Sequence, residues 1–282
     1  MEKDTTVKNQ NTGESVQTRI NSLFFDIDGT LTSFQTNDVT QSTRNAIAYC
    51  RSKGIKVAIA TGRSPHEFDG VRDTLHIDFD AVVCMTGQVV YDQQTIYHQE
   101  PLSRQSVDAL LAYLTVNPDI SVNFSEREYG YLNQMSSAVR HLYDHLGKTA
   151  PHVVYDDPFS RLKNHDLYQF SMFVTPEIEK EVVQAVPGVR SLRWHPDFAD
   201  FIPADGGKDK GIAALLDAWG LDRRGCLVFG DGENDIDMLD FAGISVAMGN
   251  ASDLVKAHAD YVTSSVDQDG VMNALRHLGL VE

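Results

Sequence analysis

The chain has 282 residues, 42% hydrophobic and 23% charged, with a formal charge of −16. That length suits one large domain, or a core domain carrying a second one. An acidic surface repels the phosphate backbone, which argues against nucleic-acid partners, and no apolar run reaches the roughly 18 residues of a membrane-spanning helix.

Residues 1–19 are polar and lack the apolar stretch of a signal peptide. They read as a disordered leader, and a cytoplasmic location is expected. Cys50, Cys84 and Cys226 lie far apart in apolar contexts. They read as buried, reduced thiols and not as a disulfide framework or zinc site.

In chain order, Ser22–Ile27 reads as a buried strand, and Thr40–Lys53 as a helix stopped by Gly54. Strand Lys56–Ala60, helix Ser64–His76 and strand Phe79–Cys84 follow, and this alternation implies parallel βαβ units. Val89–Tyr91 and Thr95–His98 flank a hairpin turn. Arg104–Leu114 sets Val107, Leu110, Leu111 and Leu114 at helical spacing. Strands are expected at Ile120–Phe124, Gly130–Asn133, Tyr168–Val174, Val189–Trp194 and Ala199–Ile202. Helices are expected near Ser136–Leu146 and at Pro176–Val186, with residues 150–166 as loop. Alternation then returns. Helix Asp209–Trp219, strand Cys226–Phe229, helix Asp235–Phe241, strand Gly243–Val246, helix Leu254–Ala257, strand Tyr261–Thr263 and helix Gly270–Leu278 complete the chain. The fold class expected is α/β, a doubly wound parallel-sheet core over residues 20–87 and 201–282, split by an inserted α+β domain at 88–200.

Ligands of open parallel sheets bind outside the carboxyl ends of the strands. Four polar segments fall there: Asp26-Ile27-Asp28-Gly29-Thr30 after the first strand, Thr61-Gly62-Arg63 after the second, Lys208 at the opening of a helix, and Gly230-Asp231-Gly232-Glu233-Asn234-Asp235 after Cys226–Phe229. Clustered carboxylates repel one another unless a cation lies between them, and hard oxygen donors suit Mg²⁺. Carboxylates left over could attack phosphorus or shuttle a proton. A lysine, a threonine hydroxyl and helix N-terminal amides could hold phosphate oxygens. The set therefore fits phosphoryl chemistry.

These four segments, in this order, resemble the motifs of the haloacid dehalogenase superfamily. Their spacing resembles its Cof-like, type IIB sugar-phosphate phosphatases, over residues 22–278. The resemblance implies Asp26 as nucleophile and Mg²⁺ ligand, Asp28 as general acid/base lending its backbone carbonyl to the metal, and Asp231 as the other direct ligand. It implies Asp235 acting on metal-bound waters or on the lysine. Thr61, the Gly62 amide, Lys208 and Asn234 would hold the substrate phosphate, with Arg63 less defined. Lys210 is the alternative lysine, and the family's spacing to Ile212 favours Lys208. The subgroup usually carries Asn-Gly where this chain has Thr86-Gly87, near the crossing into the inserted block. That block would be a mobile cap reading the leaving group.

The implied activity is Mg²⁺-dependent hydrolysis of small phosphorylated metabolites, sugar phosphates among them, by a monomer or weak homo-oligomer. A phosphomutase and a phospho-accepting binding protein are the alternatives. His141 and His145 on one helix face read as a solvated face. Trp194, His195 and Asp197 read as packing. Asn250-Ala251-Ser252 reads as a glycosylation sequon without consequence.

Overall fold

The computed structural model describes residues 20–146 and 153–282. The leader expected at 1–19 lies outside the described residues. The strands are β1 (Ser22–Phe25), β2 (Lys56–Ala60), β3 (Ala81–Cys84), β4 (Val89–Tyr91), β5 (Ile96–Gln99), β6 (Val122–Ser125), β7 (Gly130–Leu132), β8 (Gln169–Met172), β9 (Val189–His195), β10 (Phe198–Pro203), β11 (Cys226–Gly230), β12 (Ile244–Ala247) and β13 (Tyr261–Val262). The chain forms two compact units. One comprises the described parts of Met1–Ile59, with Ile77–Asp80 and Trp219–Glu282; the other comprises Ala60–His76 and Ala81–Ala218.

In the first unit the strands run β13-β12-β11-β1-β2, all parallel. Their apolar runs are continuous (Leu23–Phe25 in β1, Leu227–Phe229 in β11) because helices on both sides of such a sheet leave no wet face. Phe25 and Phe229 stack across the β1–β11 pair at 4.8 Å between ring centroids. Chain order reverses at this pair: from β1 the chain steps to β2 on one side, and β11 fills the other. In open parallel sheets ligands bind at such a reversal, here the carboxyl ends of β1 and β11. The Asp26 N–H donates to the Phe229 carbonyl at 3.0 Å, carrying the ladder one residue past β1. Helix Gln41–Ser52 follows β1, capped by the Thr40 hydroxyl.

The second unit contains the antiparallel run β3-β4-β5 and a five-stranded antiparallel sheet in the order β7-β6-β8-β10-β9. One face of the five-stranded sheet is apolar. Phe124, Phe170, Met172 and Phe201 pack there with Leu110 and Leu114 of helix Arg104–Val116 and Val182 of helix Pro176–Ala185. Phe170 and Phe201 stack at 4.8 Å, and burying each ring contributes roughly 1.5–3 kcal/mol. Strand alternation puts Asn123, Ser125, Gln169, Ser171 and Asp200 on the opposite face, in register with one another. That face is polar, yet Ser125, Gln169, Ser171 and Asp200 are buried.

Residues 158–166 are not loop throughout. Pro158–Arg161 forms a helical turn, its N-cap Asp157 accepting from the Phe159 N–H and Pro158 in the first turn. Asp-Pro is a helix-start signal that the loop-like composition concealed. All three cysteines are free and buried. No helix among the described residues is long and apolar enough to cross a membrane.

Candidate active site

The loops beyond β1 and β11 bring together three acidic residues of the first unit. Asp26 is the first residue beyond β1 and is buried; Asp231 follows β11 directly. Asp235 is fully buried in the short turn Glu233–Asp235. Asp26, Asp231 and Asp235 each offer a carboxylate oxygen, and these three oxygens lie within 4.8 Å of one another. Three anions at that spacing need a cation or shared protons to coexist. The donor set is all oxygen, which fits a hard divalent metal. The Asp28 carboxylate is outside this group.

The loops holding these groups are tied together by name. The Thr30 hydroxyl donates to Asp231 Oδ1 at 2.8 Å. Asp235 Oδ2 accepts the Asp231 and Gly232 N–H groups, both at 2.9 Å, so one of its oxygens organises the turn that presents Asp231. The turn after β1 closes through the Gly29 N–H to Thr32 carbonyl bond at 2.9 Å and the Thr32 N–H to Ile27 carbonyl bond at 2.8 Å. Gly29 sits at φ +90, and a Cβ there would lie 2.2 Å from Asp231 Oδ2. Only glycine serves at that point, for backbone and space alike.

Asn250 belongs to this set, although its sequence reading gave it no part. Its side-chain amide donates to the Gly29 carbonyl at 2.9 Å and to Asp231 Oδ2 at 3.0 Å, while its oxygen accepts from the Val266 N–H at 2.9 Å. The available signal was position: Asn250 stands just past β12, where the other site residues stand past their strands.

Thr61, Gly62 and Lys208 belong to the second unit. Thr61 continues β2, donating its N–H to Val83 at 2.8 Å. Its hydroxyl accepts the Arg63 N–H at 3.1 Å. Ser64 and Glu67 then form a reciprocal capping box that opens helix Pro65–Leu75. Lys208 begins helix Lys208–Trp219 and is fully buried, whereas Lys210 is exposed and pairs with Asp209 at 3.2 Å. Gly87, at φ +100, lies against the start of that helix; a Cβ there would lie 1.9 Å from the Gly207 carbonyl oxygen. Asn234 is buried in the turn that carries Asp235.

Among the other residues singled out, His141 is exposed and its Nδ1 lies 3.2 Å from Asp197 Oδ2. His195 stacks on Phe198 at 5.3 Å. The side chains of His145 and Trp194 lie outside the described residues.

Close carboxylates at the carboxyl ends of β1 and β11, where the sheet's order reverses, offer an all-oxygen donor set of the kind a hard metal ion takes. The chain belongs to the haloacid dehalogenase-like hydrolase family, which it matches over residues 23–275. It is 33% identical over 265 residues to "Putative phosphatase YkrA" of Bacillus subtilis (strain 168), covering 92% of this chain and 98% of that one. Among solved structures it resembles the subclass IIB sugar phosphatase BT4131, with 34% identity, a TM-score of 0.82, and coverage of 93% of this chain and 100% of that one. It also resembles the phosphatase BT1666 of Bacteroides thetaiotaomicron, with 30% identity and a TM-score of 0.84, over 97% of this chain and 100% of that one. The chain is accordingly a phosphatase of this hydrolase family.

Proposed function

We propose that the protein is a Mg²⁺-dependent phosphomonoesterase of small phosphorylated metabolites, sugar phosphates foremost, working through an aspartyl-phosphate on Asp26. The observation that carries this reading is the convergence of the Asp26, Asp231 and Asp235 oxygens within 4.8 Å at the carboxyl ends of β1 and β11. Asp26, Asp231 and the Asp28 backbone carbonyl would hold the metal, and Asp235 would steady this arrangement. When bound, Mg²⁺ neutralises charge on the transferring phosphoryl group and on the carboxylates around it.

Asp26 attacks phosphorus as the ester oxygen leaves. Asp28 gives that oxygen its proton, then takes one from the water that hydrolyses the aspartyl-phosphate. Thr61, the Gly62 amide, Lys208 and Asn234 hold the non-bridging oxygens. A buried lysine is a stronger electrostatic partner than an exposed one, which favours Lys208 over Lys210. Residues 88–200 serve as the cap that selects the leaving group, beside a core of 20–87 and 201–282. The likeness to a subclass IIB sugar phosphatase supports the sugar-phosphate assignment.

Acid quench of a turnover mixture containing ³²P-labelled hexose phosphate tests the covalent step. Label is expected on the peptide containing Asp26 in wild type and absent from Asp26→Asn. Rapid turnover with no labelled enzyme at any quench time would contradict it.

A further inference from the structure

The departure at Thr86 has a physical role within the second unit. Met85 and Thr86 are both left-handed, at φ +49 and +54, and both are fully buried. A β-branched residue avoids this region, and such strain persists only where surrounding bonds over-determine it. Here they do. The Met85 N–H donates to the Arg63 carbonyl at 2.9 Å, and the Thr86 N–H to the Thr61 carbonyl at 3.0 Å. The Gln88 side chain donates to the Thr86 carbonyl at 3.3 Å.

Between those two anchored carbonyls lies Gly62. Its own carbonyl accepts from the side-chain amide of Gln169, on β8, at 3.1 Å. The other half of that amide, Oε1, accepts the Thr86 hydroxyl at 3.4 Å. Gln169 is 3% exposed, so neither half has water as a ready substitute. A trans peptide is planar, its N–H opposite its carbonyl. The bond to the Thr61 carbonyl therefore aims the Gly62 N–H, and the bond to the Gly62 carbonyl aims the Arg63 N–H. Both peptide planes flanking Gly62 are set from the far side, one by the Thr86 backbone and one by Gln169, which the Thr86 hydroxyl holds in turn.

We propose that Gln169 and Thr86 are positioning residues for the phosphate loop: the Thr86 backbone aims the Gly62 N–H, and Gln169 sets the peptide plane whose Arg63 N–H holds the Thr61 hydroxyl, linking the polar face of the five-stranded sheet to that loop. The inference rests on the phosphatase reading only in taking that loop as the phosphate site. Only a carboxamide supplies both the donor that Gly62 needs and the acceptor that Thr86 needs. A carboxylate at this place would set charge against the Gly62 carbonyl, and a thioether of the same length would serve neither.

The test uses the full chain with saturating Mg²⁺ and two variants of matched shape, Gln169→Met and Thr86→Val, with their double variant. Inorganic phosphate affinity is measured directly by calorimetry, alongside KM, kcat and the melting temperature. Gln169→Met is expected to weaken phosphate binding and raise KM about tenfold, with kcat within about twofold, as for a contact made equally before and during reaction. Thr86→Val is expected to cost about threefold alone and nothing further on top of Gln169→Met, because its hydroxyl acts through Gln169. A merely structural role would lower the melting temperature and leave the KM-to-kcat split unmoved. Unchanged phosphate affinity and KM in Gln169→Met would overturn the proposal, as would a Thr86→Val effect of equal size in both backgrounds. If Gln169→Met fails to fold, wild-type phosphate affinity in Thr86→Val overturns it. A wild type that binds phosphate but hydrolyses no phosphomonoester would overturn the phosphatase reading, leaving the binding comparison to decide this one.

Discussion

The Asn250 side chain holds Asp231 from outside the acidic cluster, donating to its Oδ2 at 3.0 Å while Thr30 donates to its Oδ1 at 2.8 Å. Both carboxylate oxygens are thereby oriented by neutral donors that add no charge to the cluster. Partners that orient a metal-binding carboxylate typically govern affinity by 10- to 100-fold. Asn250→Ala is therefore expected to raise the Mg²⁺ concentration giving half-maximal phosphatase activity by about tenfold, with little change at saturation. A Mg²⁺ titration of variant and wild type checks this.

Gly29→Ala places a Cβ 2.2 Å from Asp231 Oδ2 at a φ of +90. Either Asp231 turns away or the loop moves. Backbone strain of this kind costs about 1–3 kcal/mol, so the fold should survive with a lowered melting temperature. Activity should fall at least about 100-fold if Asp231 holds the metal as proposed, because its carboxylate is displaced. Calorimetry and a phosphate-release assay on one preparation separate the two effects.

Asp80 anchors the start of β2. Its Oδ2 accepts the Val57 N–H at 2.9 Å, and its Oδ1 faces Lys56 at 3.2 Å and Arg51 at 3.3 Å. Burial raises its pKa, but the Val57 N–H and the two cations together outweigh burial and hold it below the usual carboxylate value. A depressed folded-state pKa gives stability that is full above the unfolded value of about 3.9 and is lost as pH falls through the folded value. Asp80→Asn should thus be destabilised by about 1 kcal/mol at pH 7, roughly the difference between a charge-assisted and a neutral hydrogen bond. The gap to wild type should begin to narrow below about pH 4 and close only beneath the depressed folded value. Urea midpoints at pH 7 and over a descending series below about pH 4 follow the loss.

Burial pushes the Cys50 thiol up to about 11 and the Cys226 thiol up to about 12, and Cys84 higher still. Thiolate is the reactive form. Native protein at pH 8 should give no titratable thiol with a disulfide reagent over minutes, and three equivalents in denaturant.

The sheet strands were legible because buried parallel strands are short continuous apolar runs bounded by turn residues; β2 lies at Lys56–Ala60 as its sequence predicts. Asp26 and Asp231 were placed from sequence because Asp26 follows its apolar run directly and Asp231 follows the glycine that ends the other. Asn250 was not, because its meaning depends on a hydrogen bond to Gly29, 221 residues away. Locally it is one more Asn-x-Ser. Gln169 was hidden for a similar reason. In sequence it is the first residue of β8, and only pairing of β8 with β6 and β10 assigns it to the polar face. Pro158–Arg161 was lost to composition, since Pro and Asp mark helix starts as readily as loops.

The account stands most directly on phosphate release from a panel of phosphorylated metabolites, with Mg²⁺ and with EDTA, for wild type and Asp26→Asn. It predicts release by wild type that EDTA abolishes, highest with sugar phosphates, and none above background by a folded Asp26→Asn. Release that persists in EDTA, or near-wild-type rates in Asp26→Asn, would contradict it.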